Sequence, residues 1–304
     1  MSFVDAIKGL FGKSKEDKPY TRPENCELRT ELLGLERNAI NMMADAEGKV
    51  LYPDSSKIGG RPYLPADFEW PEYKDKNDGE IRPLSFFCQL NLSELSAYDR
   101  DGLLPERGIL SFFYECESFC WGFDPEDKGA ARVFYYENTE GFVPTDIPQE
   151  IDSDYVMPEM PLSFEARKAY PMFEEFDVLS DIICDCEDYD RLVEELGGDV
   201  WVSDRHKILG YADIIQNEML SECEMNTRGI STGTPENYKN LSEAAKADIC
   251  EKEKEWVLLL QLSTIETDDF CWMFGDGGML YYYIRKEDLA NRRFENTWFS
   301  LQCG

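Results

Sequence analysis

The chain predicts a β-dominated α+β fold in which one β-rich unit is built twice, and three observations carry that expectation. The first is an ordered recurrence. Ser56-Lys57-Ile58-Gly59-Gly60-Arg61-Pro62-Tyr63, Leu84-Ser85-Phe86-Phe87-Cys88-Gln89-Leu90 and Gly108-Ile109-Leu110-Ser111-Phe112-Phe113-Tyr114 are matched later in the chain. Their counterparts are His206-Lys207-Ile208-Leu209-Gly210-Tyr211, Trp256-Val257-Leu258-Leu259-Leu260-Gln261-Leu262 and Gly278-Met279-Leu280-Tyr281-Tyr282-Tyr283-Ile284. Such recurrence implies two units packed on each other, because neither covers its apolar face alone. The second is the aromatic content of 13%, gathered in runs such as Tyr281-Tyr282-Tyr283 that suit strands. The third is size: 304 residues with 42% hydrophobic side chains bury a substantial core.

The elements follow in order. Phe3, Val4, Ile7, Leu10 and Phe11 recur at helical spacing, and Gly12 to Lys18 reads as a polar linker, so residues 1–20 form an amphipathic segment and tether. Leu28, Leu32, Leu35, Ala39, Ile40 and Met43 share the same period and predict one helix from about Cys26 to Ala46, ending near Gly48. Prolines keep Arg61 to Pro71 out of helix and make it an ordered extended loop. Strands are expected at about 84–91, 109–115 and 131–136. Between the units, of about 50–145 and 200–304, Val178 to Leu196 forms an acidic helical connector that Gly197-Gly198 stops. Met225 to Tyr238 reads as loop, and Asn240-Leu241-Ser242-Glu243 resembles a capping box for a helix to about Lys254. Strands resume at Trp256 to Ser263 and Gly278 to Arg285.

Charge limits the partners. With 31 basic and 62 acidic side chains the formal charge is −31, which repels a phosphate backbone and argues against nucleic acid. The same balance argues against stable association with an anionic bilayer. It suits a solvated surface, a basic protein partner or a cation. No apolar stretch of about 18 residues spans a membrane, and no export signal opens the chain, so a cytoplasmic, reducing setting is expected. Cys88 and Cys271 lie in apolar runs and read as small buried hydrophobes. Cys116-x3-Cys120 and Cys184-x-Cys186 lack zinc-site spacing, and no metal or cofactor is expected.

Several of these motifs together resemble the YwqG-like bacterial proteins, a family of unknown function. The likeness rests on Lys57 to Pro65 running to Trp70-Pro71, the Gln89 strand, His206 to Tyr211, Gln261, Gly275-Asp276-Gly277-Gly278 and Trp298 to Cys303. It implies a β-rich α+β fold, with residues 21–304 as one YwqG-like domain, and implies no reaction. Ala212 stands where that family commonly has proline, which leaves the turn there open.

No catalytic set declares itself. His206 is the only imidazole, and the chain has no Gly-x-Ser-x-Gly elbow for a nucleophile. Gly275-Asp276-Gly277-Gly278 suits a tight hairpin or a backbone nest. Gln89 and Gln261 sit inside apolar strands, where each amide bonds loop backbone or faces a ligand. Lys57 and Lys207 pair with carboxylates or with an anion. The candidate ligand-binding set is Lys57, Arg61, Gln89, His206, Lys207, Gln261, Trp272, Asp276 and Trp298, converging on a seam between the units. Two functions follow: a non-catalytic binding protein, of immunity type if it holds a basic partner, or an enzyme or small-anion binder using that seam.

Overall fold

The computed structural model describes residues 25–44, 50–198 and 205–304, so the N-terminal amphipathic segment lies outside the described residues. Two antiparallel sheets organise the rest. In chain order their strands are β1 (Arg37–Met43), β2 (Lys57–Ile58), β3 (Ser85–Asn91), β4 (Ile109–Tyr114), β5 (Ala131–Tyr136), β6 (Met160–Pro161), β7 (Ser163–Ala169), β8 (His206–Leu209), β9 (Trp256–Leu262), β10 (Met279–Arg285) and β11 (Trp298–Gln302). The six-stranded sheet runs β7-β1-β8-β9-β10-β11 and the five-stranded sheet β6-β2-β3-β4-β5. The fold is α+β and β-dominated.

The register carries a correspondence between the sheets. Lys57 pairs with Gln89, and Gln89 with Ser111. In the other sheet Lys207 pairs with Gln261, and Gln261 with Tyr281. A bulge breaks β3 between Phe86 and Cys88 and β9 between Leu258 and Leu260, in each case just before the glutamine. The flanking strands are exchanged: β1 pairs with β8 of the later set, whereas β6 pairs with β2 of the earlier one. Separating the two sets would therefore break both ladders.

Three layers result. Leu280, Tyr282 and Ile284 of β10 face the five-stranded sheet, where the Tyr282 ring centroid lies 5.2 Å from that of Phe112 and its hydroxyl donates to Phe113 O at 3.0 Å. Met279, Tyr281 and Tyr283 face the other way, onto the helix Leu220–Thr227. Burial on both faces explains the unbroken apolar runs of β9 and β10. The helices Asn25–Leu35, Phe173–Leu179 and Cys186–Glu195 form a further apolar cluster through Leu32, Phe176, Tyr189 and Leu192.

Three segments differ from the sequence reading. The helix expected over Cys26 to Ala46 stops at Leu35, and Arg37–Met43 is the strand β1. Pairing with β7 on one side and β8 on the other supplies ladder bonds that helical spacing cannot register. The loop expected from Met225 begins as the last turn of Leu220–Thr227, whose start is held by the Glu218 carboxylate accepting from Leu220 N at 2.7 Å. Pro235–Lys239 adds a short helix. The connector divides into two helices, the second capped by Asp185 accepting from Asp188 N at 2.8 Å. Gly197 at φ +77 ends it, as the glycine pair predicts. Ser242 opens Glu243–Lys252 by accepting from Ala245 N.

Gly59 and Gly60 form a packing joint. Gly59 lies at φ +59, and a Cβ there would stand 2.2 Å from Pro158 O. The pair lets Met157 to Pro161 close on β2, with Gly60 N donating to Met157 O at 3.0 Å. Gly59→Ala is expected to cost about 2 kcal/mol or more, the left-handed penalty plus the backbone clash, read as a lower urea midpoint at unchanged slope.

Candidate functional site

The nine residues singled out from the sequence divide by burial. Gln89 is fully enclosed: its Oε1 accepts from Tyr63 N at 2.7 Å and its Nε2 donates to Pro53 O and Ser55 O. Gln261 does the same for the loop after β8, accepting from Asp213 N at 2.8 Å and donating to Arg205 O and Asp213 Oδ2. Lys57 pairs with Glu159 at 2.7 Å, and Lys207 with Asp213 at 2.7 Å. Burial lowers the Lys207 pKa, an effect that Arg205 reinforces and Asp213 opposes. All four side chains are engaged within the protein, the two amides with neighbouring loops and the two ammonium groups with carboxylates.

The others lie apart. Arg61 is on the surface, paired with Asp146 at 2.9 Å and donating to Pro144 O. His206 Nδ1 accepts from Ser263 N at 3.1 Å. Trp272 is buried among Phe87, Phe119, Tyr155 and Phe274. Asp276 is exposed at the tip of a hairpin closed by Gly278 N donating to Phe274 O, with Gly275 and Gly277 at positive φ. Cys271 is exposed rather than buried, because alternation on the Phe270–Trp272 ribbon turns it outward while Trp272 faces in. No disulfide joins any of the ten cysteines.

Only Trp298 of the nine borders the largest described cleft. That cleft, of about 800 Å³, lies where edge strand β5 of one sheet meets edge strand β11 of the other. Its walls come from Lys128 to Phe134, from Glu295 to Phe299, and from the end of the helix Leu220–Thr227. Trp256 and Trp298 form an aromatic floor, the latter fixed by its indole N–H donating to Gly122 O. The Arg285 guanidinium lies 4.6 Å from the Trp256 ring and donates to Glu224 at 2.6 Å. Burial pushes the Glu224 carboxyl upward, yet hydrogen bonds from Arg285, Trp256 and Arg228 hold it below its ordinary value.

The cleft has a local excess of positive charge. Asp288 is neutralised by Arg293 at 2.8 Å, as Arg285 is by Glu224. Lys128 and Arg132 form no ion pair among the described residues, leaving two cations against the single carboxylate of Glu295. Asn226, 2% exposed, donates to Glu222 O and Thr232 Oγ1, while its Oδ1 has no hydrogen-bond partner. Among the described residues no group of His, Cys, Asp and Glu has the makings of a metal site.

An α+β protein with a cleft of ligand size at the meeting of its two sheet edges is the class that fold and geometry define. Residues 56–303 match the family described as "Domain of unknown function (DUF1963)", and the chain belongs to that family. No curated protein matches it.

Proposed function

We propose that the protein binds a small carboxylate- or phosphate-bearing molecule in the cleft between β5 and β11. The observation that carries this reading is the pair Lys128 and Arg132, without ion-pair partners among the described residues in a chain of net charge −31, above an aromatic floor. A volume of about 800 Å³ falls within the range of small-molecule sites. The acidic remainder of the surface disfavours a polyanion. A basic protein partner, and with it an immunity role, has support from net charge alone. The likeness to YwqG-like bacterial proteins and a cytoplasmic setting belong to the same proposal. Among the described residues no helix is long and apolar enough to cross a membrane.

The test is a calorimetric screen of carboxylates and phosphate monoesters against the full chain. A ligand from that screen is expected to lose about tenfold or more in affinity for Lys128→Ala/Arg132→Ala, with the thermal midpoint unchanged, as removal of charge-assisted bonds implies. Ligands whose affinity ignores both substitutions, or a screen without binders, would remove the reading.

A further inference from the structure

A second cleft, of about 500 Å³, lies across the short helix Lys286–Ala290 from the first. Residues of this stretch divide between the two: Arg285 and Asp288 border the first cleft, Lys286 and Leu289 the second. Arg37, Lys286 and Arg292 supply its positive charge and Asp101 its one carboxylate.

Those charges are unevenly satisfied. Arg292 pairs with Glu137 at 3.2 Å. Asp101 accepts from Asn38 N at 2.7 Å. Arg37 makes no ion pair among the described residues; its guanidinium lies 4.1 Å from the Tyr211 ring and reaches Gly210 O only at 3.5 Å. A guanidinium carries five N–H donors, so most of its capacity is unspent. Lys286 donates to Lys254 O at 2.9 Å. Its pKa is lowered by burial and then by Arg37, with Glu255 opposing. The two neighbouring cations thus repel each other, with Glu175 acting on Arg37 and Glu255 on Lys286 but neither carboxylate ion-paired with them among the described residues.

The backbone here is also strained. Among the described residues three non-glycine side chains have positive φ, and two of them, Leu209 and Arg292, line this cleft. Left-handed backbone outside glycine costs about 1–2 kcal/mol and collects at binding sites. The next residue, Gly210, packs against Ala39, where a Cβ would approach to 2.6 Å. The remaining wall is apolar: Leu104, Val257 and Leu289 are buried, and Leu103 is 42% exposed at the rim.

We propose that this cleft binds an apolar monocarboxylate, a medium-chain acyl or aryl acid, with its carboxylate between Arg37 and Lys286 and its body along Leu103, Leu104, Val257 and Leu289. The assignment is independent of the ligand in the first cleft. Octanoate is the probe and octan-1-ol its uncharged control, titrated calorimetrically into the full chain. Octanoate is expected to bind at least tenfold more tightly than the alcohol, because only the anion engages both cations. Lys286→Gln, at an exposed rim position, is expected to weaken octanoate about tenfold, and Leu104→Trp to abolish binding by filling the cleft. Lys128→Ala/Arg132→Ala is expected to leave it unchanged. Absence of octanoate binding at millimolar concentration, equal binding of the alcohol, or loss in the Lys128/Arg132 variant but not in Lys286→Gln would each overturn the assignment. Thermal midpoints within about 2 °C of the parent keep the variants interpretable.

Discussion

Gln261→Leu is expected to destabilise the protein by about 3–5 kcal/mol, because one side chain satisfies three groups and each orphaned buried polar group costs about 1–3 kcal/mol. The substitution strips Asp213 N of its acceptor and Arg205 O of its Gln261 donor, and leaves Asp213 Oδ2 to Lys207 alone. Asp213 is also the counter-ion of the buried Lys207 and Arg205, so its displacement would weaken a buried ion cluster as well. Gln89→Leu should cost about 1 kcal/mol less, since its three partners are all neutral backbone groups and no ion pair depends on them. Urea unfolding at constant slope measures both. Equal losses, or a Gln261→Leu loss under about 1 kcal/mol, would mean that water replaces the amide and that the loop after β8 is not organised by it.

That pair of glutamines marks how far the sequence was legible. An amide inside an apolar strand announces a buried polar group with an obligatory partner; that Lys57 faces Gln89 and Lys207 faces Gln261 across their ladders is visible only in the assembled sheets. Local chemistry was also plain at Gly275–Gly278 and at Gly197, because turns and helix stops are set by neighbours in sequence; the helix to Lys252 is capped by Ser242 rather than by the capping box read from Asn240 to Glu243. β1 was misread as helix for the converse reason: Ala39, Ile40 and Met43 fit a helical period, and only partners more than 100 residues away made them a strand. Gln302, which holds the loop from Ile215 to Asn217 as Gln261 holds its own, sat in the last strand without a counterpart to point to it.

The clefts were less legible than the fold. Lys128, Arg132, Asn226, Trp256 and Arg285 are ordinary residues in separate stretches, and what singles out the first two is the absence of an ion-pair partner among the described residues. Composition reports 31 cations but not which of them remain unneutralised. Of the nine residues expected at a seam between the units, only Trp298 borders the first cleft. The repeated lysines read as partners of carboxylates or of an anion, and in the fold they pair with Glu159 and Asp213. Edge strands β5 and β11, which bound the cleft, carry no signal of being edges until the sheets are assembled.

Stability is expected to fall as pH rises from about 5 to 8, and Glu222→Gln is expected to remove much of that fall. Glu222 is buried beneath the six-stranded sheet, where desolvation pushes its carboxyl up to about 8 despite hydrogen bonds from Asn217 and Ser300. Glu175 is pushed up to about 7, again by desolvation first, and its Oε2 has no hydrogen-bond partner. Both folded-state values lie above the ordinary 4.5, so between these limits the native state holds protons that the unfolded chain has released. Their contribution is therefore complete below about pH 4.5 and is lost as pH climbs through 7 and 8. Glu36, Asp75 and Glu224 are shifted the opposite way, and lose their contribution as pH drops below their ordinary values, 4.5 for the glutamates and 3.8 for the aspartate. The maximum should accordingly lie near pH 5. Glutamine mimics the protonated carboxyl, with an oxygen to accept from Asn217 and an amide to donate to Ser300. The variant should match the parent at pH 5 and exceed it by about 2–4 kcal/mol at pH 8, since each tenfold difference in proton affinity between the folded and unfolded chain is worth about 1.4 kcal/mol. Parallel pH profiles for parent and variant in urea unfolding would show that Glu222 is already ionised in the native state, paired with a cation or water beneath the sheet.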